Sequence, residues 1–358
     1  MIGVEAKPSR SFEYNQMVKR NDNLDADKIA SRVQLIAPTV GRVGKSVGAI
    51  NCTEPDAAEV DFLPSEVAEA IQASLSPATQ RAYADDLANF ERWGGGVPAN
   101  PAMVAAYLVH LAQDCRAATL ARRVAALSKA HRAKGLDDPC KSEIVKATLR
   151  GIRRQIGTAQ REAKPLIRDD LFAVLHRMGD RPKDLRDKAL LLLGFAGAFR
   201  RSELIGLDHA DIEPVPQGIV VTLRRSKTDQ IGAGRKIGIP FGRTRWCPVR
   251  HLSDWLDHAR IEGGAVFRSV NRHGHVADQR LSGEAVSIVV KDRAEAAGFD
   301  PDAYSGHSLR AGLATSAAMA GASTFKIRAQ TGHASDAMLA RYIRDGDMFT
   351  NNAAGAVL

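Results

Sequence analysis

The sequence predicts a mainly α-helical protein in two parts, the second of which carries one small antiparallel sheet. Three observations lead there. From Leu63 onward, apolar residues recur at 3.6-residue spacing between recognisable helix caps. A single strand–turn–strand pattern, over residues 218–240, interrupts them. Residues 157–165 have little apolar content and part an all-helical stretch from a mixed one, as an interdomain linker does.

Taken in order, residues 1–62 show no sustained periodicity and read as a flexible tail. A helical part follows over 63–156. In it, Ser76-Pro77-Ala78-Thr79 supplies a cap and a first-turn proline, and Tyr83, Leu87, Phe90 and Trp93 then repeat until Gly94-Gly95-Gly96 ends the helix. A second helix covers 103–111. A third covers 119–134, with Leu120, Val124, Leu127 and His131 on one face, Arg122, Lys129 and Arg132 on the other, and Gly135 as its stop. A fourth covers 142–156. After the linker, 166–358 form the second part, with helices at about 168–178, 185–197 and 200–207, strands at 218–224 and 235–240 around a turn at 226–234, and helices at about 248–261, 283–297, 308–320, 324–330 and 335–343.

The 358 residues, 44% hydrophobic and 25% charged, exclude a mainly disordered or fibrous chain. No run approaches the 18 or so apolar residues of a membrane span, and the four cysteines are widely spaced with no CxxC pair, so the expectation is a soluble cytoplasmic protein from a reducing compartment, with no membrane partner. The net charge is +9. Its distribution is uneven: residues 1–62 hold 8 basic and 9 acidic side chains, residues 63–164 hold 15 and 10, and residues 165–358 hold 27 and 22. From Arg116 to Lys164 there are thirteen basic residues against four acidic ones, a candidate polyanion-binding surface.

Four features of the second part are individually ordinary. Phe199-Arg200-Arg201-Ser202-Glu203-Leu204 alone is a charged helix start, Lys227 in Arg225-Ser226-Lys227-Thr228-Asp229 alone is a solvated turn, His307-Ser308-Leu309-Arg310 alone puts a histidine and an arginine on one helical face, and Gly332-His333 with Tyr342 nine residues later reads as packing. In this order and spacing they resemble the tyrosine recombinase (phage integrase) family. The resemblance covers about 63–358, and Ser305-Gly306-His307-Ser308, Tyr342-Ile343-Arg344 and 131–136 give it a Cre-like character, although at His333 the chain follows the wider family. Arg200 matches the first family arginine, because it alone precedes Ser202-Glu203-Leu204 at the Arg-x-Ser-Glu-Leu spacing. Phe199 and the doubled arginine depart from the usual pattern.

The resemblance implies a helical, SAM-like core-binding domain over 63–156 and a catalytic domain over 166–358 that together clamp a DNA half-site. It implies that Arg200, Lys227, His307, Arg310, His333 and Tyr342 are catalytic and that Glu203 supports them. Arg200 and Arg310 would fork onto the scissile phosphate, with His307 the base for Tyr342, Lys227 the acid for the leaving 5′ oxygen, and His333 a phosphate ligand. That chemistry needs no metal and no cofactor, and no carboxylate cluster or His/Cys set has ligand spacing; His273-Gly274-His275 reads as a surface turn. Arg81, Arg122, Arg123, Lys129, Arg132 and Lys134 are candidate DNA contacts. The implied partners are double-stranded DNA with inverted-repeat half-sites, a second copy on one site and a homotetramer on two, with the apolar tail 353–358 docking on a neighbour. The product is strand exchange through a 3′-phosphotyrosine and a Holliday junction. The alternatives are type IB topoisomerase-like relaxation and a non-catalytic helix-turn-helix regulator.

Overall fold

The structure is a computed structural model and describes residues 73–158, 163–224 and 234–333, together with positions 66, 69, 70, 335, 339, 340 and 342. The expected tail 1–62, Lys227 and the segment 353–358 lie outside the described residues. The chain divides into two compact units, Met1–Gln160 and Arg161–Leu358.

In the first unit the predicted caps set the helix ends. Helix α1, Pro77–Trp93, starts where the Ser76 hydroxyl accepts from the Thr79 amide at 3.3 Å and stops at Gly94, whose φ of +104° only glycine adopts without strain. Helix α2, Pro101–Leu111, begins two residues earlier than predicted because Asn100 caps it, its side-chain oxygen accepting from the Met103 amide at 2.8 Å. Helix α3 spans Ala117–Ala133 and α4, capped by Ser142, spans Glu143–Ile156. Leu87, Phe90, Tyr107, Leu120, Leu127 and Val145 are buried together, each side chain contributing about 1.5–3 kcal/mol relative to exposure. His131 belongs to this core: its Nδ1 donates to the Leu127 carbonyl at 2.8 Å and its Nε2 accepts from the Ala99 amide at 2.9 Å, so both ring nitrogens are satisfied as a neutral imidazole.

The second unit is organised around one central helix. Helix α5 is Arg168–His176, α6 Pro182–Ala196 and α7 Arg201–Gly206. In α6 the run Ala189–Leu193 is buried on every side, as befits a helix enclosed by others. The same helix buries Asp187, which is ion-paired with Arg186 and with Arg293, each at 2.6 Å. Strands β1 (Ile212–Val215), β2 (Gly218–Leu223) and β3 (Arg235–Pro240) form an antiparallel sheet in that order, with Val215 opposite Gly218 and Leu223 opposite Arg235. Helix α8 is Pro248–Ala259, whose Trp255 is buried and donates from Nε1 to the Val266 carbonyl at 2.8 Å. Strands β4 (Arg268–Val270) and β5 (Val276–Arg280) pair as a second, separate sheet. The expectation of one sheet of two strands is thus corrected: β1, β4 and β5 are only four, three and five residues long, too short to display an alternating pattern, and β1 contains Pro214.

Helices α9 (Gly283–Ala296), α10 (His307–Met319) and α11 (Thr324–Thr331) follow, and the helix expected at about 335–343 lies mostly outside the described residues, with positions 339, 340 and 342 helical. The chain entering the unit is fastened to α10 and to the segment just before it. The Lys164 amide donates to the Ala303 carbonyl at 2.7 Å and the Leu166 amide to the Ser308 carbonyl at 2.9 Å. A Cβ on Gly312 would collide with the Leu166 backbone, so only glycine permits this close approach.

Candidate active site

Of the residues that the sequence singles out in the second unit, Arg200, His307 and His333 stand at helix ends. Arg200 is the last residue before α7, set there by a turn in which Ala198 takes a φ of +48°, a left-handed conformation that is strained for a residue with a side chain. The buried Glu203 carboxylate serves Arg200 twice, accepting from its amide at 2.9 Å and from its Nη1 at 2.5 Å. The neighbouring Arg201 is turned elsewhere and donates from Nη1 to the Ser287 hydroxyl of α9 at 3.1 Å. That hydroxyl also accepts from the Gly306 amide at 3.3 Å, so Arg201 helps fix the start of α10 while Arg200 faces the site.

Helix α10 opens with His307 and carries Arg310 one turn on. Arg310 is 1% exposed and donates from Nη1 to the Ala198 carbonyl at 2.8 Å, which ties the strained turn to the helix. Its Nη2 is buried with no hydrogen-bond partner. Burial, followed by the charge of nearby Arg200, brings the Arg310 guanidinium down to about 10, with Glu203 opposing. It therefore stays cationic at neutral pH, and its free donor is available to an anion.

Tyr342 packs beside Ala314, Ala318 and Leu339, and its hydroxyl lies 2.8 Å from Nε2 of His307. This is the distance of a nucleophile hydrogen-bonded to its base. His333 follows Gly332 at the end of α11, with its ring 5.7 Å from that of Tyr342 and its Nδ1 2.8 Å from the Thr331 hydroxyl. Thr331 is fully buried and its hydroxyl also lies 2.8 Å from the Ile327 carbonyl. If the hydroxyl proton goes to Ile327, its oxygen accepts from Nδ1–H of His333; if it turns to Nδ1, the proton of the neutral ring sits on Nε2, the form that donates to a phosphate oxygen.

Burial, then the charges of Arg310, Arg200, His307 and Arg235, hold His333 down at about 4. Its protonation is linked to folding with a definite sign. The unfolded imidazole takes up its proton near 6.5 and the folded one only near 4, so the stability that neutral His333 confers is complete above about 6.5 and is lost as pH falls toward 4. Urea unfolding of the full chain at pH 7.5 and pH 5.0 should show a loss of roughly 1–2 kcal/mol that His333→Gln lacks, at about 1.4 kcal/mol per pH unit in that window. Equal losses in the two proteins would exclude this account.

The structure thus brings Arg200, Glu203, His307, Arg310, His333 and Tyr342 together, and Lys227 lies outside the described residues. The sequence does not single out Arg235 or Thr331, both of which reach this site through neighbours remote in sequence or hidden by burial. His273 and His275 are exposed, and among the described residues no group of three or more His, Cys, Asp or Glu side chains is placed to hold a metal ion. In the first unit, Arg81, Arg122, Arg132 and Lys134 are exposed and Lys129 is half-buried. Arg122 pairs with the buried Asp86 at 2.9 Å. Arg123 is turned inward, donating from Nη1 to Asn89 at 2.6 Å and to the Tyr107 hydroxyl at 3.2 Å.

Comparison with known proteins gives the family. Residues 165–347 match the phage integrase family and residues 70–134 match the phage integrase N-terminal SAM-like domain. An integrase/recombinase xerD homolog of Selenomonas ruminantium is 40% identical over 294 residues, spanning 79% of this chain and 86% of that protein. Recombinase cre of Escherichia phage P1 is 28% identical over 278 residues, 73% and 80% of the two chains. Among solved structures, the site-specific recombinase XerH bound to a palindromic difH substrate superposes with a TM-score of 0.58 at 17% identity, covering 82% of this chain and 83% of that one. The chain belongs to the phage integrase family of tyrosine site-specific DNA recombinases.

Proposed function

We propose that the described cluster cleaves and rejoins DNA at specific sites, with Tyr342 as nucleophile. The observation that carries this reading is the 2.8 Å contact between the Tyr342 hydroxyl and His307 Nε2 in a site lined by the buried Arg310 and by Arg200. A phenol is a weak nucleophile at neutral pH, and His307 takes its proton as the phenolic oxygen bonds to phosphorus. Arg200 and Arg310 fork onto the non-bridging oxygens, where negative charge accumulates in the pentacoordinate transition state. The bond from phosphorus to the 5′ oxygen breaks, Lys227 supplies the proton to that oxygen, and a 3′-phosphotyrosine remains. His333, in its Nε2–H form, holds one phosphate oxygen. The phosphotyrosine bond keeps the energy of the broken linkage, so the 5′-OH of a second strand reverses the step without a nucleotide cofactor, and two such rounds pass through a Holliday junction.

The partner is double-stranded DNA carrying inverted-repeat half-sites. Arg81, Arg122, Lys129, Arg132 and Lys134 of the first unit contact it, while Arg123 shapes the surface that they stand on. Two copies occupy one site and four occupy two, acting in the cytoplasm; no helix among the described residues is long and apolar enough to cross a membrane. The test begins by selecting the bound sequence from a random DNA pool and placing two copies in direct orientation on a plasmid. The expected result is deletion of the intervening segment. Relaxation of supercoils on a one-site plasmid with no deletion on the two-site plasmid would make the protein a topoisomerase instead.

A further inference from the structure

Outside the residues that the motif spacing picks out, one more guanidinium reaches the site. Arg235 is the first residue of β3, and residues 225–233, which include Lys227, join it to β2. Its Nη1 donates at 3.1 Å to both the Ala329 and Gln330 carbonyls, two of the otherwise unsatisfied acceptors at the C-terminal end of α11. Gln330 adds a second fastening of the same turn, its amide reaching the Ala196 carbonyl at 2.8 Å and the Gly238 carbonyl at 3.2 Å. The end of α11 is therefore held to β3 and to the last turn of α6, four residues before Arg200.

Gly332 completes this fastening. It takes a φ of +65° at the helix end, and a Cβ there would sit 2.5 Å from Nη1 of Arg235. The Arg235 fork fits because position 332 has no side chain, and His333 is the next residue. The second terminal nitrogen of Arg235, Nη2, is buried with no hydrogen-bond partner, and the side chain lies close enough to Arg200 and Glu203 for their charges to act on it. Surface placement alone does not account for a half-buried guanidinium that stands near both Arg200 and Glu203 and is aimed at two carbonyls.

We infer that Arg235 is a positioning residue of the active site: by clasping the last carbonyls of α11 over Gly332, it fixes His333 beside Tyr342 and joins that turn to the hairpin that carries Lys227. The inference rests on the reading that this cluster acts on a DNA phosphate. Such a residue controls the placement of catalytic groups and not the affinity for the duplex, where a misplacement of about 1 Å costs on the order of 100-fold in rate.

Two measurements on the full chain test it. In the first, single-turnover formation of the covalent adduct is followed on the duplex selected by the wild-type protein. Arg235→Ala should slow it by about 10- to 100-fold, with half-saturating DNA changed less than about threefold. Arg235→Lys should fail to restore the rate, because a lysine side chain is one bond shorter and its ammonium keeps the charge but falls short of the position from which Nη1 serves both carbonyls. Gly332→Ala should give a similar defect, and one that is smaller in the Arg235→Ala background, where the collision is gone.

The second measurement is the titration of 15N-labelled His333 by NMR in the protein without DNA, which does not depend on catalysis. Both Arg235→Ala and Gly332→Ala should raise its midpoint by a unit or more, although only the first removes a charge. Wild-type rates in Arg235→Ala, a defect wholly in DNA affinity, or strictly additive effects of the two substitutions would overturn the inference. If Arg235→Ala does not fold, Arg235→Gln takes its place in both measurements. Absence of any adduct from the wild-type protein would instead sink the proposed function, and the titration would still decide the role of Arg235.

Discussion

Tyr342→Phe is expected to abolish the covalent protein–DNA adduct while leaving DNA binding intact. The substitution removes one oxygen, and with it the 2.8 Å hydrogen bond to His307, but keeps the ring that packs beside Ala314, Ala318 and Leu339. Neither that hydrogen bond nor the ring belongs to the basic surface proposed to hold the duplex, and affinity should change by less than about threefold at fixed salt. The rate of adduct formation should fall by at least about 10⁴-fold, the scale of losing a covalent nucleophile. Denaturing gel electrophoresis of the protein with end-labelled DNA reads both states of the bond. An adduct from Tyr342→Phe at wild-type yield would assign the nucleophile to another residue.

The second large effect belongs to Arg310. Arg310→Lys keeps a positive charge on the same helix but loses the planar fork, and with it both the bond to the Ala198 carbonyl and the free Nη2. Adduct formation should fall by about 10²- to 10³-fold, equivalent to about 2.7–4 kcal/mol of transition-state stabilisation. DNA affinity should change little, because the charge is kept and the attraction to phosphates is spread over many basic side chains. A buried ammonium lacking its partners also destabilises the unit, so the rate is to be compared at a temperature where thermal melting shows both proteins folded. A rate within tenfold of wild type would place the charge stabilisation on other groups.

Much of the helical architecture is legible in the sequence because its determinants are local. Ser76, Ser142, Ser282 and Ser323 each cap the helix that follows them, and the 3.6-residue spacing of Leu120, Leu127 and His131 marks the face that is buried. Helix α6 starts at Pro182 and not at the expected 185; the earlier start is hidden in the sequence because Arg181 offers no side-chain cap and the first turn, Pro182–Leu185, has no large apolar side chain until Leu185. Strands β1, β4 and β5 carry no pattern of their own, since each is defined by its partner.

In the site, the motif spacing brings out Arg200, His307, Arg310, His333 and Tyr342, and the first four stand at or within one turn of a described helix end. Arg235 has no such signature: its meaning comes from two carbonyls 94 and 95 residues away. Arg123 and Arg122 look alike in the sequence because one step along a helix changes direction by about 100°, and a basic pair does not reveal which member is turned inward. The structure separates them, with Arg122 49% and Arg123 14% exposed.

The attachment of residues 163–167 to α10 also bears on mechanics. The Leu166–Ser308 backbone hydrogen bond and the bare backbone of Gly312 fasten the incoming chain to the helix whose first turn carries His307 and Arg310, and the Lys164–Ala303 bond holds it to the segment just before that helix. A pull arriving along the linker is borne by that helix and not taken up by a slack loop, so the reactive groups and the tether are in series. Tension on the tether is then felt at His307 and Arg310.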